Sequence, residues 1–313
     1  MLIPYLQSLF NVTFKTGYFP ETWSEGYIVP LHKKGSVNNT DNYWGITLLS
    51  VLGKLFTRIL NNRLTSWVER YNVYIEAEAG FRSEMSTSDN IFVLHGIITH
   101  MINQGKKLYC SFIEFSKAFD YVERNSLWSK LIKFGIRGKM MTILKGMYFS
   151  VKSRVWFNNK LSHEFSCFLG VRQRESLSAF LFSMFLNNIE EHLELNGFKG
   201  ISMYVTKLFI LLYADDIVVF SDSAEGLQNG LDSLFIYCQR WKLKINVMKT
   251  KIIVFREGGI LPRNLHFTLN GECREMVKSF SYLRLVFSSG GSFNITEATL
   301  GSLYFKLLKT YFI

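Results

Sequence analysis

Apolar residues recur at Leu48, Leu52, Leu55, Ile59 and Trp67 with Lys54, Arg58 and Arg63 between them, a period that predicts an amphipathic helix between Thr47 and Tyr71. The pattern then changes. In KLYCSFIE, Leu108, Cys110 and Phe112 alternate with Tyr109, Ser111 and Ile113, which predicts a strand buried on both faces and ending near Glu114. A helix is expected over Arg124–Phe134, stopped by Gly135, and a hairpin turned at Asn158-Asn159. From Ser176 to Leu195 the period is helical again. Two β-rich runs follow, Leu208–Tyr213 and Ile217–Phe220, joined by Ala-Asp-Asp as a hairpin. Beyond Ser221-Asp222-Ser223, which offers N-cap oxygens, Leu227, Leu231, Leu234, Phe235 and Cys238 mark a helix, and Lys251–Phe255 a last strand. From residue 107 the order is strand, helix, strand, strand, helix, strand, with an insertion at about 116–169. That is the split βαβ layout of a ferredoxin-like sheet, an α+β architecture with an antiparallel sheet.

Composition narrows what such a fold is for. A chain of 313 residues that is 48% hydrophobic and 19% charged buries a full core, which excludes disorder and a small disulfide scaffold. Four prolines and the absence of Ser/Gly-rich stretches leave no flexible linker, so any subdomains pack together. The net charge of +11 favours phosphate-bearing partners. Cys110, Cys167, Cys238 and Cys273 match neither a zinc-ligand spacing nor a disulfide framework, and they read as reduced core thiols of an intracellular protein. The most apolar run, Leu208–Ala214, is far short of the roughly 20 residues a membrane span needs. The N-terminal MLIPYLQSLF lacks a basic region and a cleavage site, so no secretory signal is expected.

Asp215 and Asp216 stand together after an apolar strand. Taken alone, Ala-Asp-Asp is also an ordinary turn. In a ferredoxin-like sheet, however, the first strand lies beside the central hairpin, which would bring Glu114 to the same point as Asp215. Carboxylates around two divalent ions about 3.5–4 Å apart are what in-line phosphoryl displacement requires. Basic charge, acidic cluster and sheet together point to a nucleotidyl transferase using two Mg2+ ions.

The motifs then become specific. VPLHKKG at 29–35, NYWGITLLSVLGKLFTRIL at 42–60, EAEAGFRSEMSTSDN at 76–90, FIEFSKAFDYV at 112–122, GVRQRESLSAFLF at 170–182, YADDIVVF at 213–220, INVMKTKIIVF at 245–255 and FSYLRLVFSSGG at 280–291 follow one another in order. From about Trp23 to Phe287 the chain resembles the reverse transcriptase domain of non-long-terminal-repeat (LINE-like) retrotransposons. Any one motif is weak; their succession is strong. A third group, intron-maturase-type reverse transcriptases, fits the Ala-Gly-Phe-Arg and Phe-Ser-Lys-Ala-Phe-Asp blocks less well.

The resemblance implies a right-hand polymerase: helical fingers at 1–106, a palm at 107–256 with a fingers insertion at about 116–169, and at 257–313 the end of the palm, a primer-grip-like hairpin and the start of a truncated thumb. No room is left for an endonuclease. Expected partners are an RNA template, a DNA primer and deoxynucleoside triphosphates. Asp215 resembles the principal metal-binding aspartate, Asp216 its accessory neighbour, and Glu114 occupies the place of the other metal-binding aspartate. Phe119 matches the aromatic that crowds the sugar 2′ position, although a plain core phenylalanine fits the same pattern. Lys33 or Lys34 resembles the fingers lysine that meets the triphosphate, where a merely solvated loop is the competing reading. Gln173 looks like a residue lining the template and nucleotide pocket, and Lys249 and Lys251 sit where the family keeps a lysine near the departing pyrophosphate. The Phe and Leu ladder in FLFSMFL reads as core packing.

The departures from the pattern fall at chemistry. Glu114 replaces Asp, and one methylene moves a carboxylate by roughly 1 Å, a displacement that can cost about a hundredfold in rate. Trp44 replaces a triphosphate-binding arginine. Arg174 and Ala179 replace a glycine and a proline, Glu78 a glutamine, and Arg284 the glycine of the Tyr-Leu-Gly turn. These changes point to a decayed copy with impaired polymerisation; the alternative is a non-catalytic remnant that binds nucleic acid through phosphates.

Overall fold

The computed structural model describes residues 2–203 and 206–294. The mixed α+β chain divides into two compact units, one of residues 1–74 and 117–186, the other of residues 75–116 and 187–313. The thumb expected toward 313 lies, from residue 295 on, outside the described residues.

The first unit is built around a helix that is apolar on every side. Ser176–Leu186 buries Leu177, Phe180, Leu181, Phe182, Met184, Phe185 and Leu186, so it has no solvent face to offer, and the Val51–Arg70 and Arg124–Lys133 helices pack on it. The ladder in FLFSMFL is therefore core. A sheet completes the unit, with strands in the order Tyr43–Leu49, Glu25–His32, Lys152–Phe157 and Lys160–Leu161. The turn between the last two is made by Asn158 and Asn159 at φ 48° and 56°, the left-handed pair that a two-residue hairpin turn demands.

The expected helix from Thr47 begins later than predicted. Tyr43–Leu49 is a strand paired with Glu25–His32, and the helix starts at Val51 behind the Ser50 cap, whose Oγ accepts from Gly53 N at 3.3 Å. Its buried face is Phe56, Leu60, Leu64 and Val68, whereas Leu48, Leu52 and Leu55 are exposed. Leucines stand on both sides of this helix, so periodicity alone could not choose the face that meets the core. The helix expected over Ser176–Leu195 is likewise two helices, Ser176–Leu186 and Ile189–Leu195. At the break, Asn187 Oδ1 accepts from Ile75 N at 3.0 Å and Asn188 Oδ1 from the Tyr237 hydroxyl at 3.0 Å.

In the second unit the central strand Leu108–Glu114 is flanked by Asp216–Ser221 on one side and Lys251–Phe255 on the other, both antiparallel to it. Ile210–Tyr213 and Glu275–Met276 add the two edges. The run expected as one strand over Leu208–Tyr213 is thus shorter, because Thr206–Leu208 pairs separately with Ile201–Met203. The central strand is buried on both faces. The Thr87–Asn103 helix packs Ile91, Leu94, Ile98 and Met101 into one core with Cys110, Phe112, Val218, Phe220 and Phe255. The Ala224–Trp241 helix packs on the Leu108–Glu114 and Asp216–Ser221 strands and buries Leu227, Leu231, Leu234 and Cys238; it is capped by Ser223 Oγ, which accepts from Gly226 N at 3.1 Å.

All four cysteines are free, yet only Cys110 and Cys238 are core thiols; Cys167, just beyond the short Phe165–Ser166 strand, is half-buried, and Cys273, on the short Glu272–Cys273 strand, is exposed. Among the described residues no helix is long and apolar enough to cross a membrane.

Candidate active site

The hairpin between Ile210–Tyr213 and Asp216–Ser221 closes in two residues, Ala214 and Asp215, since Asp216 already pairs with Tyr213. Ala214 sits at φ 58°, a left-handed conformation that costs a residue with a Cβ roughly 1 kcal/mol or more. The central strand ends beside this turn. Asp216 stands opposite Glu114 in register, and Phe115 N donates to the Asp215 carbonyl at 3.4 Å. Beyond that point the central strand meets the segment leading to Lys249: Ser116 N donates to Lys244 O at 2.7 Å and Asn246 N to Glu114 O at 2.8 Å.

Glu114, Asp215, Asp216 and Lys249 line one cleft of about 580 Å³, together with Thr87, Tyr282 and Arg284. Burial raises the pKa of both aspartates above its ordinary value. Repulsion from Glu114 adds to the effect at Asp215; at Asp216, held at about 6, repulsion from Asp215 comes next after burial. Lys249 opposes the rise in both, and its ammonium is ion-paired with Glu114.

Hard oxygen donors crowded until they repel one another suit a divalent cation in kind. Their placement is another matter. Among the described residues no three carboxylate, imidazole or thiol groups are gathered so as to hold a metal ion as they stand, and the Glu114 carboxylate is already taken by Lys249. The aspartate pair fits the ion; a three-carboxylate cage is not formed.

Behind the turn lies a residue that sequence reading noted only as a departure. Glu78 is 1% exposed; its Oε1 accepts from Gly80 N at 2.6 Å, the N–H of Ala214 also serves the carboxyl, and Oε2 has no partner. Burial pushes this carboxyl up to about 7, against the N–H groups and the Arg82 guanidinium that favour its charge. Gly80 permits the arrangement, because a Cβ there would lie 2.5 Å from Ala214 N. Asn90 Nδ2 donates to the Leu212 carbonyl at 2.9 Å and to the Tyr282 hydroxyl at 3.4 Å, completing the polar layer. A lone asparagine in an apolar helix carries no signal that would have identified it.

The other predicted residues fall as follows. Lys251 does not line the cleft; its ammonium reaches Glu275. In the first unit, Phe119 is half-buried and stacks on Phe182, with centroids 4.9 Å apart and planes at 23°. The 170–173 loop is laid against it: Val171 N donates to Phe119 O at 2.8 Å, and Gln173 Nε2 to Asp120 Oδ1 at 2.8 Å. Phe119 and Gln173 are therefore neighbours. Arg174 follows at φ 62°, a conformation suited to the glycine it replaces. Lys33 and Lys34 are exposed beyond the Glu25–His32 strand, with Lys33 Nζ 5.3 Å from the Trp44 ring centroid.

Comparisons with known proteins bear on the family of the chain and on its fold. Residues 31–286 match the family model described as reverse transcriptase (RNA-dependent DNA polymerase). The chain is 29% identical over 294 residues to the probable RNA-directed DNA polymerase from transposon BS of Drosophila melanogaster, an alignment covering 90% of this chain and 31% of that protein. It is 24% identical to the RNA-directed DNA polymerase from mobile element jockey of the same fly, again over 90% of this chain and 31% of the other. The chain thus spans about a third of the length of these curated relatives. In fold it is similar to apo telomerase from Candida tropicalis truncated from its C-terminal domain, with a TM-score of 0.61 at 11% identity over 93% of this chain and 59% of that one. Telomerase from Candida albicans in complex with a telomeric RNA fragment gives 0.55 at 12% identity, over 93% and 50%. With its family match running through both units, the chain belongs to the reverse transcriptase (RNA-dependent DNA polymerase) family and is homologous to the polymerases of non-long-terminal-repeat retrotransposons.

Proposed function

We propose that this chain is an RNA-directed DNA polymerase domain of a non-long-terminal-repeat retrotransposon, working on an RNA template and a DNA primer at a reduced rate. One observation carries the reading: Glu114 and Asp216 stand in register on adjacent strands, with Asp215 in the turn beside them, all lining one cleft. The strand order supports a ferredoxin-like palm in the second unit, since the fourth strand of the repeat lies outside the first and the second outside the third. The first unit, with its helices and its strands at 25–49, corresponds to fingers, and the hairpin at 279–288 to a primer grip.

In this reading Asp215, Asp216 and Glu114 concentrate negative charge where a nucleotide's reacting phosphate arrives. Magnesium, when bound, would supply the charge that steadies the attacking and departing oxygens. The aspartates orient the incoming groups, and Glu114 serves once released from Lys249. Lys249 then offers its ammonium to the departing pyrophosphate, with Lys251 in a supporting place on the strand. Phe119 excludes a 2′ hydroxyl, Gln173 lines the template and nucleotide pocket, and Lys33 and Lys34 meet the triphosphate.

A second reading, a nucleic-acid-binding remnant without catalysis, is favoured by the Glu114–Lys249 pair and by the arginine held at a left-handed position in the 170–175 loop. Primer extension on a homopolymer RNA template separates the two. Slow incorporation abolished by Asp215→Asn supports the polymerase; oligonucleotide binding with no incorporation at any divalent concentration supports the remnant.

A further inference from the structure

Gln173, which lines the template and nucleotide pocket in the polymerase reading, has its amide held by a carboxylate: Nε2 donates to Asp120 Oδ1 at 2.8 Å. A carboxylate accepts hydrogen bonds and does not donate them, so the amide can meet it only through its NH2 end. The other end, Oε1, has no partner among the described residues. What Gln173 offers a ligand is therefore a carbonyl oxygen.

The two backbones that carry this pair are tied to each other. Gly170 N donates to Val122 O at 2.9 Å and Val171 N to Phe119 O at 2.8 Å, which lays the 170–173 loop on the segment that holds Asp120. Gly170, at φ 81°, permits the approach, because a Cβ there would lie 2.8 Å from Phe119 O and 2.9 Å from Asp120 Cα. Arg124 clamps the start of the loop, donating to the carbonyls of Gly170 at 2.9 Å and of Leu169 and Tyr148 at 3.1 Å. Arg172 holds the loop from the core side, donating to Trp23 O at 2.8 Å and pairing with the buried Glu175 at 3.4 Å. With both backbones fixed, the Asp120–Gln173 bond has only two side chains left to order, and the entropy it must overcome is small.

We infer that Asp120 is a positioning residue: it fixes the Gln173 amide so that the carbonyl oxygen is presented to the nucleotide, and Gln173 thereby recognises a hydrogen-bond donor, a hydroxyl of the sugar or an amino group of the base. A phosphate is excluded as its partner, since phosphate oxygens call for a donor and the NH2 of Gln173 is already spent on Asp120. The inference rests on the reading of Gln173 as a nucleotide-pocket residue, and not on the chain being catalytically active.

The experiment uses the full chain and a fluorescent primer ended by a dideoxynucleotide and annealed to an RNA template, so that the next nucleotide binds without reacting. Deoxyadenosine triphosphate is titrated opposite a template uridine with magnesium present, and its affinity is read by anisotropy from the retention of the duplex. Wild type, Asp120→Asn, Gln173→Ala and the double variant are compared, with thermal melts to verify folding. Asparagine keeps the shape of Asp120 but offers both a donor and an acceptor, which frees the Gln173 amide to turn over. Asp120→Asn should weaken nucleotide binding about fivefold and Gln173→Ala about tenfold. The double variant should bind no more weakly than Gln173→Ala alone, because Asp120 acts only through Gln173. Losses that multiply in the double variant, or an Asp120→Asn chain that binds as wild type does, overturn the inference alone. Repeating the cycle with dideoxyadenosine triphosphate identifies the donor: the Asp120→Asn effect vanishes for the sugar hydroxyl and persists for the base amino group. A wild type that takes up no nucleotide, or a Gln173→Ala chain that takes it up as wild type does, overturns the nucleotide-pocket reading of Gln173 and the inference with it.

Discussion

The buried carboxyl of Glu78, which does not line the cleft, takes the backbone N–H of Ala214, the residue immediately before Asp215. That contact ties a left-handed residue in the turn to a group whose charge state depends on pH. Burial holds Glu78 at about 7, against an ordinary value of 4.5. A carboxyl raised in this way is protonated in the folded protein while the unfolded chain has already ionised. Its stabilisation is therefore full below pH 4.5 and is lost as pH rises through 7, a change of roughly 3 kcal/mol. Glu190 at about 7 and Asp216 at about 6 act in the same direction.

Glu78→Gln keeps a carbonyl oxygen for the N–H groups and removes the proton. Thermal melts from pH 5 to 8 should show stability falling with pH in the wild type and falling less steeply in the variant, by one proton's worth of slope. Identical slopes would falsify the assignment of a neutral carboxyl at this position.

Lys249 competes with any divalent ion for Glu114. Removing it by Lys249→Ala should raise Mn2+ affinity by on the order of tenfold, the equivalent of about 1 kcal/mol for a half-exposed ion pair. Electron spin resonance of free manganese measures this directly. Glu114→Asp, one methylene shorter, should move affinity the same way by weakening the pair. If Lys249→Ala binds manganese no better than wild type, the ion pair does not limit access to the site.

The substitutions at chemistry predict a graded recovery of polymerisation. Glu114→Asp should regain part of the rate in primer extension, and adding Trp44→Arg and Arg174→Gly should regain more, with gains that need not add because the three are read as serving one reaction. An unmodified chain as fast as the triple variant would show Glu114 to be a competent residue and the chain a fully working polymerase.

Two backbone substitutions should move stability in opposite directions. Arg174→Gly relieves a left-handed arginine and is expected to stabilise by about 0.5–1 kcal/mol after the added chain entropy of glycine is subtracted. Gly80→Ala forces a Cβ to 2.5 Å from Ala214 N and should destabilise by about 2 kcal/mol or more. Urea denaturation of both variants distinguishes them; a Gly80→Ala protein as stable as wild type would mean that the close approach yields without cost.

What the sequence by itself determined were features whose cause is local. Leu108–Glu114 reads as a two-faced strand because every side chain along it is apolar or small until Glu114, and the strand ends there. Asn158-Asn159 reads as a tight turn because few other residues tolerate positive φ at both positions. The Ala224–Trp241 helix follows from its leucine spacing and its serine cap. The two β-rich runs placed Asp215 in a hairpin turn in the same way, although Asp216, expected in that turn, is the first residue of the second strand. Tertiary structure decided the rest. The buried face of Val51–Arg70 was chosen by the buried Ser176–Leu186 helix, and the break at Asn187-Asn188 by distant hydrogen-bond partners at Ile75 and Tyr237. The raised pKa of Glu78, the Lys249–Glu114 pair and the placing of Arg284 beside three carboxylates depend on contacts between segments far apart in the chain. A charged residue's partner and protonation state are set by what folding packs around it, and no spacing along the chain encodes that environment.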